Sequence, residues 1–200
     1  GLRNPTLYEL YGTDNYGIEG NTSLDPEKSK TNEFTIKFDF SENILFKSTA
    51  YKTEIFDRIE SNAAYSKHEN MKTDIKQEGL ENTVSFKNNN HALSLFSNFS
   101  KSRKDNGQAQ NRRPDLSYGA NYSAKIKNSP IGEFMMNVNY KYTGNYIDWD
   151  GAKNSKQKSV DIVNLKLNKK LFKNSISFEV KNLFDKSYEK PATYGQDGRR

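Results

Sequence analysis

Leu116-Ser117-Tyr118-Gly119-Ala120-Asn121-Tyr122-Ser123-Ala124-Lys125-Ile126 is built from two interleaved sets of side chains. Leu116, Tyr118, Ala120, Tyr122, Ala124 and Ile126 hold alternate positions, and Ser117, Gly119, Asn121, Ser123 and Lys125 lie between them. Successive side chains of a strand point to opposite faces, so the segment predicts a strand with one greasy and one wet side. Its length suits a tilted bilayer crossing, which takes about 9–11 residues.

The same alternation recurs outward in both directions. Upstream, Asn32 to Phe40 sets Phe34, Ile36, Phe38 and Phe40 against Glu33, Thr35, Lys37 and Asp39. Ile44 to Ile55 has crossing length with a less regular pattern. Glu78 to Lys87 opposes Leu80, Val84 and Phe86 to Glu81, Thr83, Ser85 and Lys87, with Gly79 suited to a bulge or bend. Ala92 to Ser102 mixes Leu93, Leu95 and Phe99 with Ser94, Asn98 and Ser100. Downstream, Phe134, Met136, Val138, Tyr140 and Tyr142 alternate mainly with Glu133, Asn137, Asn139 and Lys141. Asp161 to Leu171 and Ser175 to Asn182 follow suit, giving about eight antiparallel strands with almost no helical signal.

Connection lengths order these strands. Tight polar turns fall at Asp39 to Asn43, Lys87 to His91, Asn128 to Gly132 and Lys170 to Asn174. Long polar loops fall between them, at Phe56 to Thr73, Lys101 to Arg112 and Gly144 to Ser159. A meander with short turns at one end and long loops at the other is the plan of outer-membrane β-barrels. A soluble sandwich has no reason to sort its connections by end. The fold expected is therefore all-β, an antiparallel meander forming part of a transmembrane barrel and lying open as a piece.

Composition agrees with a wall of this kind. Only 33% of the 200 residues are hydrophobic and the mean hydropathy is −0.99, values that would leave a soluble core marginal. Twelve Phe and twelve Tyr are too many for a solvated tail. In a barrel only alternate residues meet lipid, so low total hydrophobicity coexists with one apolar face per strand. No apolar run approaches the roughly 20 residues of a membrane helix. Gly1 opens inside a polar segment without Met or signal peptide, so the chain reads as an internal piece of something longer. Cysteine is absent, which removes disulfides, thiolate metal sites and a Cys nucleophile. The net charge of +6 is spread without a basic stripe or a nucleic-acid module, so solvated loops and a polar lumen explain it and no nucleic-acid partner is expected.

Three stretches resemble TonB-dependent outer-membrane receptors. The first runs Arg3-Asn4-Pro5-Thr6-Leu7-Tyr8-Glu9-Leu10-Tyr11-Gly12, then Gly20-Asn21 and Leu24-Asp25-Pro26-Glu27-Lys28-Ser29. The second is Arg112-Arg113-Pro114 opening a strand. The third is Asn182-Leu183-Phe184-Asp185-Lys186-Ser187-Tyr188, with Gly195 to Arg199 leading toward a last strand. Within that family the pattern is most similar to the cobalamin receptor branch, in Leu7 to Gly12, Asn21 to Ser29 and the Arg pair. The resemblance implies a 22-stranded barrel with a plugged lumen. Residues 1–200 would be its C-terminal portion, lacking the plug, the TonB-engaging segment and the closing strand. It implies an outer-membrane location in a Gram-negative bacterium, long loops outside and tight turns in the periplasm. Implied partners are a corrinoid or iron-chelate substrate (ferric siderophore or haem), the TonB complex through the plug, and outer-membrane lipid and lipopolysaccharide.

Candidate site residues follow. Trp149 is the only tryptophan and stands with Tyr146, Asp148 and Asp150 in a loop with no apolar core to bury it. An exposed aromatic among polar residues suits ligand capture, while a girdle position at the membrane interface is the alternative. Arg112 and Arg113 can donate to amide or phosphate oxygens of a bulky substrate, or meet lipopolysaccharide phosphates. Tyr51, Tyr118, Tyr140, Tyr142 and Tyr146 suit aromatic girdles or simply carry strand propensity. Asp14, Asp148 and Asp150 lack EF-hand spacing and read as solvated loop acids rather than calcium ligands. His68 and His91 fall in a long loop and beside a tight turn, which disfavours a shared metal site or a His-based acid–base pair. No catalytic residue, metal or cofactor is expected. Asn182 and Asp185 are expected to cap a turn, with Leu183 and Phe184 packing on neighbouring strands. The competing reading is a carbohydrate-binding or adhesive β-protein, a soluble sandwich or a small barrel.

Overall fold

The computed structural model describes residues 1–15, 17–62, 64–149, 151–188, 195 and 198. Nine strands make one antiparallel sheet in the order β1 (Leu2–Arg3), β2 (Glu27–Ser41), β3 (Ile44–Phe56), β6 (Ile75–Lys87), β7 (His91–Lys104), β8 (Leu116–Ile126), β9 (Phe134–Thr143), β12 (Val160–Leu171) and β13 (Asn174–Val180). Two small hairpins stand apart from it, β4 (Ile59–Ser61) with β5 (His68–Asn70), and β10 (Tyr146–Trp149) with β11 (Asn154–Gln157). Both lie inside connections expected to be long loops. Every expected strand is present, several longer than alternation alone indicated. β2 starts at Glu27 because the polar Glu27–Asn32 stretch still pairs along the ladder. No second sheet stacks on the first among the described residues, which disfavours the sandwich reading.

Registers carry the alternation across strands. Leu93, Tyr122, Val138, Leu165 and Val180 form one row on the apolar face, each opposite the next. One position along, Ser94, Asn121, Asn139 and Asn164 form a row on the polar face. On the apolar face Phe38 stacks on Phe46 at 6.5 Å and Tyr118 on Tyr142 at 4.6 Å. Phe34, Phe40 and Phe178 stand exposed there, as a surface meeting hydrocarbon requires. Tyr118, Tyr140 and Tyr142 thus suit a girdle. Tyr51 does not, because it shares the parity of Thr49 and Thr53 and its hydroxyl accepts from Gln77.

The chain divides into two compact units. One comprises Gly1–Glu33, Tyr51–Glu78 and Lys101–Gln110. It contains the buried Leu24, Ile59 and Ile75 and the short helix α1 (Leu7–Tyr11). Thr6 caps α1 through a capping box with Glu9, a Thr-x-x-Glu signal present in the sequence. Arg3 grips Glu27 at 2.6 and 2.8 Å and reaches Glu9 at 3.1 Å, while Glu27 also accepts the Ile59 N–H. Asn70 ties the loop, donating to the carbonyls of Asp25 and Asp57.

The other unit comprises Phe34–Ala50, Gly79–Ser100 and Asn111–Arg200. On its polar face Asn139 donates to Asn121 at 2.6 Å, Asn164 to Asn139 at 3.2 Å, and the Asn182 N–H to Asn164 at 2.9 Å. Gly119 is required by space: a Cβ there would sit 2.2 Å from the Tyr140 carbonyl oxygen and 2.7 Å from the Phe96 ring. Asn182 closes its turn on Lys186 by a donated and an accepted bond, as expected of a cap. Phe184 stands 62% exposed instead of packed. Of Gly195 to Arg199, only Gly195 and Gly198 lie among the described residues.

Candidate ligand-binding loop and cleft

The β9–β12 connection supplies the candidate site. β10 and β11 pair from Tyr146↔Gln157 to Trp149↔Asn154, which stiffens a connection that would otherwise be open loop. Arg112 fixes this hairpin from the β7–β8 connection. Its N–H donates to the Ile147 carbonyl at 2.8 Å and its Nε donates to Asp148 Oδ1 at 2.9 Å. The same carboxylate oxygen accepts the Trp149 N–H, and Asn111 donates to Asn154. Arg112 adopts φ +62°, a conformation costly to most L-residues, so the contact holds local backbone strain.

Of the four residues singled out in the sequence, Tyr146 and Trp149 lie on this hairpin and Arg112 bonds to it. Asp148 is 1% exposed, whereas the Arg112 side chain is 62% exposed, so its guanidinium is anchored by one edge and open to solvent elsewhere. Trp149 is 52% exposed beside it. Tyr146 differs from an exposed binding aromatic: it is 9% exposed and lines a cleft. Arg113 is exposed and makes no ion pair among the described residues.

The cleft has a volume of about 170 Å³. Asn139, Lys141, Thr143, Val160, Ile162 and Asn164 form its wall from the polar face of β9 and β12, and Tyr146, Lys158 and Tyr188 complete it. Sequence reading missed it because Lys158 and Tyr188 approach β9 only through the folded connections.

The acids and histidines have other partners. Asp148 is engaged as above, Asp14 accepts from Tyr8 and the Ile18 N–H, and Asp150 lies outside the described residues. His91 bonds the Tyr122 hydroxyl at 2.8 Å, and His68 meets Tyr8 edge-on. Among the described residues no group of three His, Cys, Asp or Glu could hold a metal ion.

A sheet of this topology, apolar on one side and polar on the other with long connections at one end, is the wall of an outer-membrane-type β-barrel. The family model for TonB dependent receptor-like β-barrels matches residues 1–183, and the chain belongs to that family. Its fold is similar to the copper transporter OprC, with TM-score 0.76, 17% identity, and 99% of this chain and 33% of that chain covered. The ferripyoverdine receptor of the Pseudomonas aeruginosa outer membrane gives TM-score 0.70 at 17% identity, covering 90% and 27%. The ferric-catecholate import receptor Fiu from K12 E. coli gives TM-score 0.69 at 15% identity, covering 96% and 29%. The chain thus spans about a quarter to a third of the solved receptors it resembles. No curated protein sequence matches it significantly. The family is one of outer-membrane receptors and transporters.

Proposed function

We propose that the chain is the C-terminal wall of a TonB-dependent receptor in the outer membrane of a Gram-negative bacterium, and that the receptor imports a scarce metal-bearing nutrient. Family membership over residues 1–183 carries this reading. Long connections face outside and capture the ligand, a plug domain and the TonB complex open the path, and the wall seals the bilayer without bond chemistry. Arg112, Arg113, Tyr146 and Trp149 contribute to capture, with the Arg112–Asp148 contact setting the loop. Lipopolysaccharide surrounds the outer rim.

A ferric siderophore is the substrate class favoured, since proteins of the same fold include a ferripyoverdine receptor and a ferric-catecholate import receptor. Cobalamin is the second reading, supported by the pattern of Leu7 to Gly12, Asn21 to Ser29 and Arg112–Arg113. Haem is a further iron source of the same size class.

The test is uptake by the complete receptor in cells lacking their own receptors for these nutrients. Radiolabelled ferric siderophores, haem and cyanocobalamin are offered with and without functional TonB. TonB-dependent accumulation of one class is expected. No accumulation of any of them, or accumulation indifferent to TonB, sinks the reading.

A further inference from the structure

We infer that Ser48, Asn82 and Ser97 form the centre of a homodimer contact inside the bilayer, where the apolar face of this sheet meets the same face of a second copy. Ser48 Oγ donates to Asn82 Oδ1 at 2.8 Å, and Asn82 Nδ2 donates to Ser97 Oγ at 3.3 Å. All three stand on the apolar face. Ser48 shares the parity of Phe46, which stacks on Phe38, and Asn82 shares that of Leu80 and Val84. Ser97 shares the parity of Leu93 and lies opposite Tyr118. Along β6 this face runs Phe86, Val84, Asn82 and Leu80 before it reaches the charge of Glu78. A barrel strand rises about 3.3 Å per residue and tilts about 40°, so Asn82 lies about 10 Å from Glu78 along the membrane normal, within the hydrocarbon.

A carboxamide facing lipid is costly unless its donors and acceptors are met. The same parity on β8 and β9 holds only aliphatic, aromatic and Met side chains. Asn82 carries two amide hydrogens, and Ser97 accepts one of them. Among the described residues the other has no acceptor. In a bilayer such a group is satisfied by a neighbouring protein, which is how polar side chains hold membrane proteins together. A second copy meets the requirement by symmetry. Copies inserted in the same sense are related by an axis along the bilayer normal, so Asn82 of one stands at the depth of Asn82 of the other. A carboxamide is its own complement, each amide N–H donating to the oxygen of its twin. Shape agrees: Ser48 and Ser97 are small and flank Asn82, which lets two walls approach closely. Leu80, Val84, Leu95 and Phe99 border this seam at 40–50% exposure and would be covered by the partner.

The test uses the complete receptor, with any cysteine outside residues 1–200 replaced by Ser. Val84→Cys, beside the seam, and Val138→Cys, on the same face but away from it, are oxidised in outer membranes with copper phenanthroline. A disulfide-linked receptor dimer is expected for Val84→Cys and not for Val138→Cys. Sedimentation equilibrium of the purified receptor in density-matched detergent then compares wild type, Asn82→Leu and Asn82→Gln. Loss of the paired amide bonds in Asn82→Leu should weaken dimerisation roughly tenfold, while Asn82→Gln, which keeps a carboxamide, should retain most of it. Heat-modifiable migration on gels verifies that each variant has folded. A receptor that stays monomeric, equal cross-linking at both cysteines, or an Asn82→Leu variant that dimerises like wild type overturns the inference. Cross-linking of Val84→Cys solely to a different membrane protein overturns the assignment of a second copy. TonB-dependent uptake by a monomeric receptor would remove the dimer and leave the receptor reading intact.

Discussion

Arg112 Nε lies 2.9 Å from Asp148 Oδ1, joining the connection before β8 to the hairpin after β9. The carboxylate is buried and the guanidinium largely open, so the pair is a latch with one wet side. Asp148→Ala should loosen β10–β11 by about 1–3 kcal/mol, the cost of breaking a charged hydrogen bond whose partner stays solvated. Arg112→Asn tolerates the positive φ and isolates the loss of the ion pair from backbone strain. Both variants should speed hydrogen exchange at Ile147–Trp149, and the double variant should be no worse than the worse single. Additive effects would mean the two residues act separately.

Gly119→Ala should destabilise the wall by crowding, since it removes no polar side chain. The added methyl collides with the Tyr140 carbonyl oxygen, which the β8–β9 ladder holds in place. A cost of roughly 1–3 kcal/mol is expected, as for overpacking in general. Urea unfolding of the complete receptor in lipid vesicles measures it, with Ser94→Arg on the same polar face as a control near zero.

Val138→Arg tests which face meets lipid. Val138 lies mid-strand in the apolar row with Tyr122 and Leu165, where an arginine near the bilayer midplane costs about 2–4 kcal/mol. Ser94→Arg should be tolerated within about 0.5 kcal/mol, since its row faces water. The reverse ranking would invert the wall.

Acid should release the N-terminal clasp. Burial raises the Glu9 carboxyl, but the Thr6 N–H and hydroxyl together with Arg3 outweigh it and hold the group below the ordinary carboxylate range. A carboxyl lowered in the folded state contributes stability that is complete above its unfolded value, about 4.3 for Glu, and lost as pH falls through the folded value. Exchange protection at Leu7–Gly12, corrected for intrinsic rates, should therefore drop below about pH 4. Glu9→Gln keeps a capping side chain and should flatten that dependence.

What could be read from residues alone depended on how many independent signals each element carried. β8 was legible end to end because alternation, length and flanking turns all agreed. β2 was truncated because Glu27–Asn32 pairs without an apolar face. α1 was missed because five residues hold too little periodicity to compete, although its capping box was written in Thr6 and Glu9. The two loop hairpins were illegible because His68-Glu69-Asn70 and Asn154–Gln157 have no greasy side to declare. In the site, Arg112 and Trp149 were visible as unusual residue types. Their meeting through Asp148 was not, since it joins residues 36 apart through backbone and side-chain bonds.

The interleaving along β8, β9 and β12 separates two demands on one polypeptide. Odd and even positions of each strand answer to different surroundings, so substitutions can rewrite one surface of the sheet while the opposite surface keeps its character.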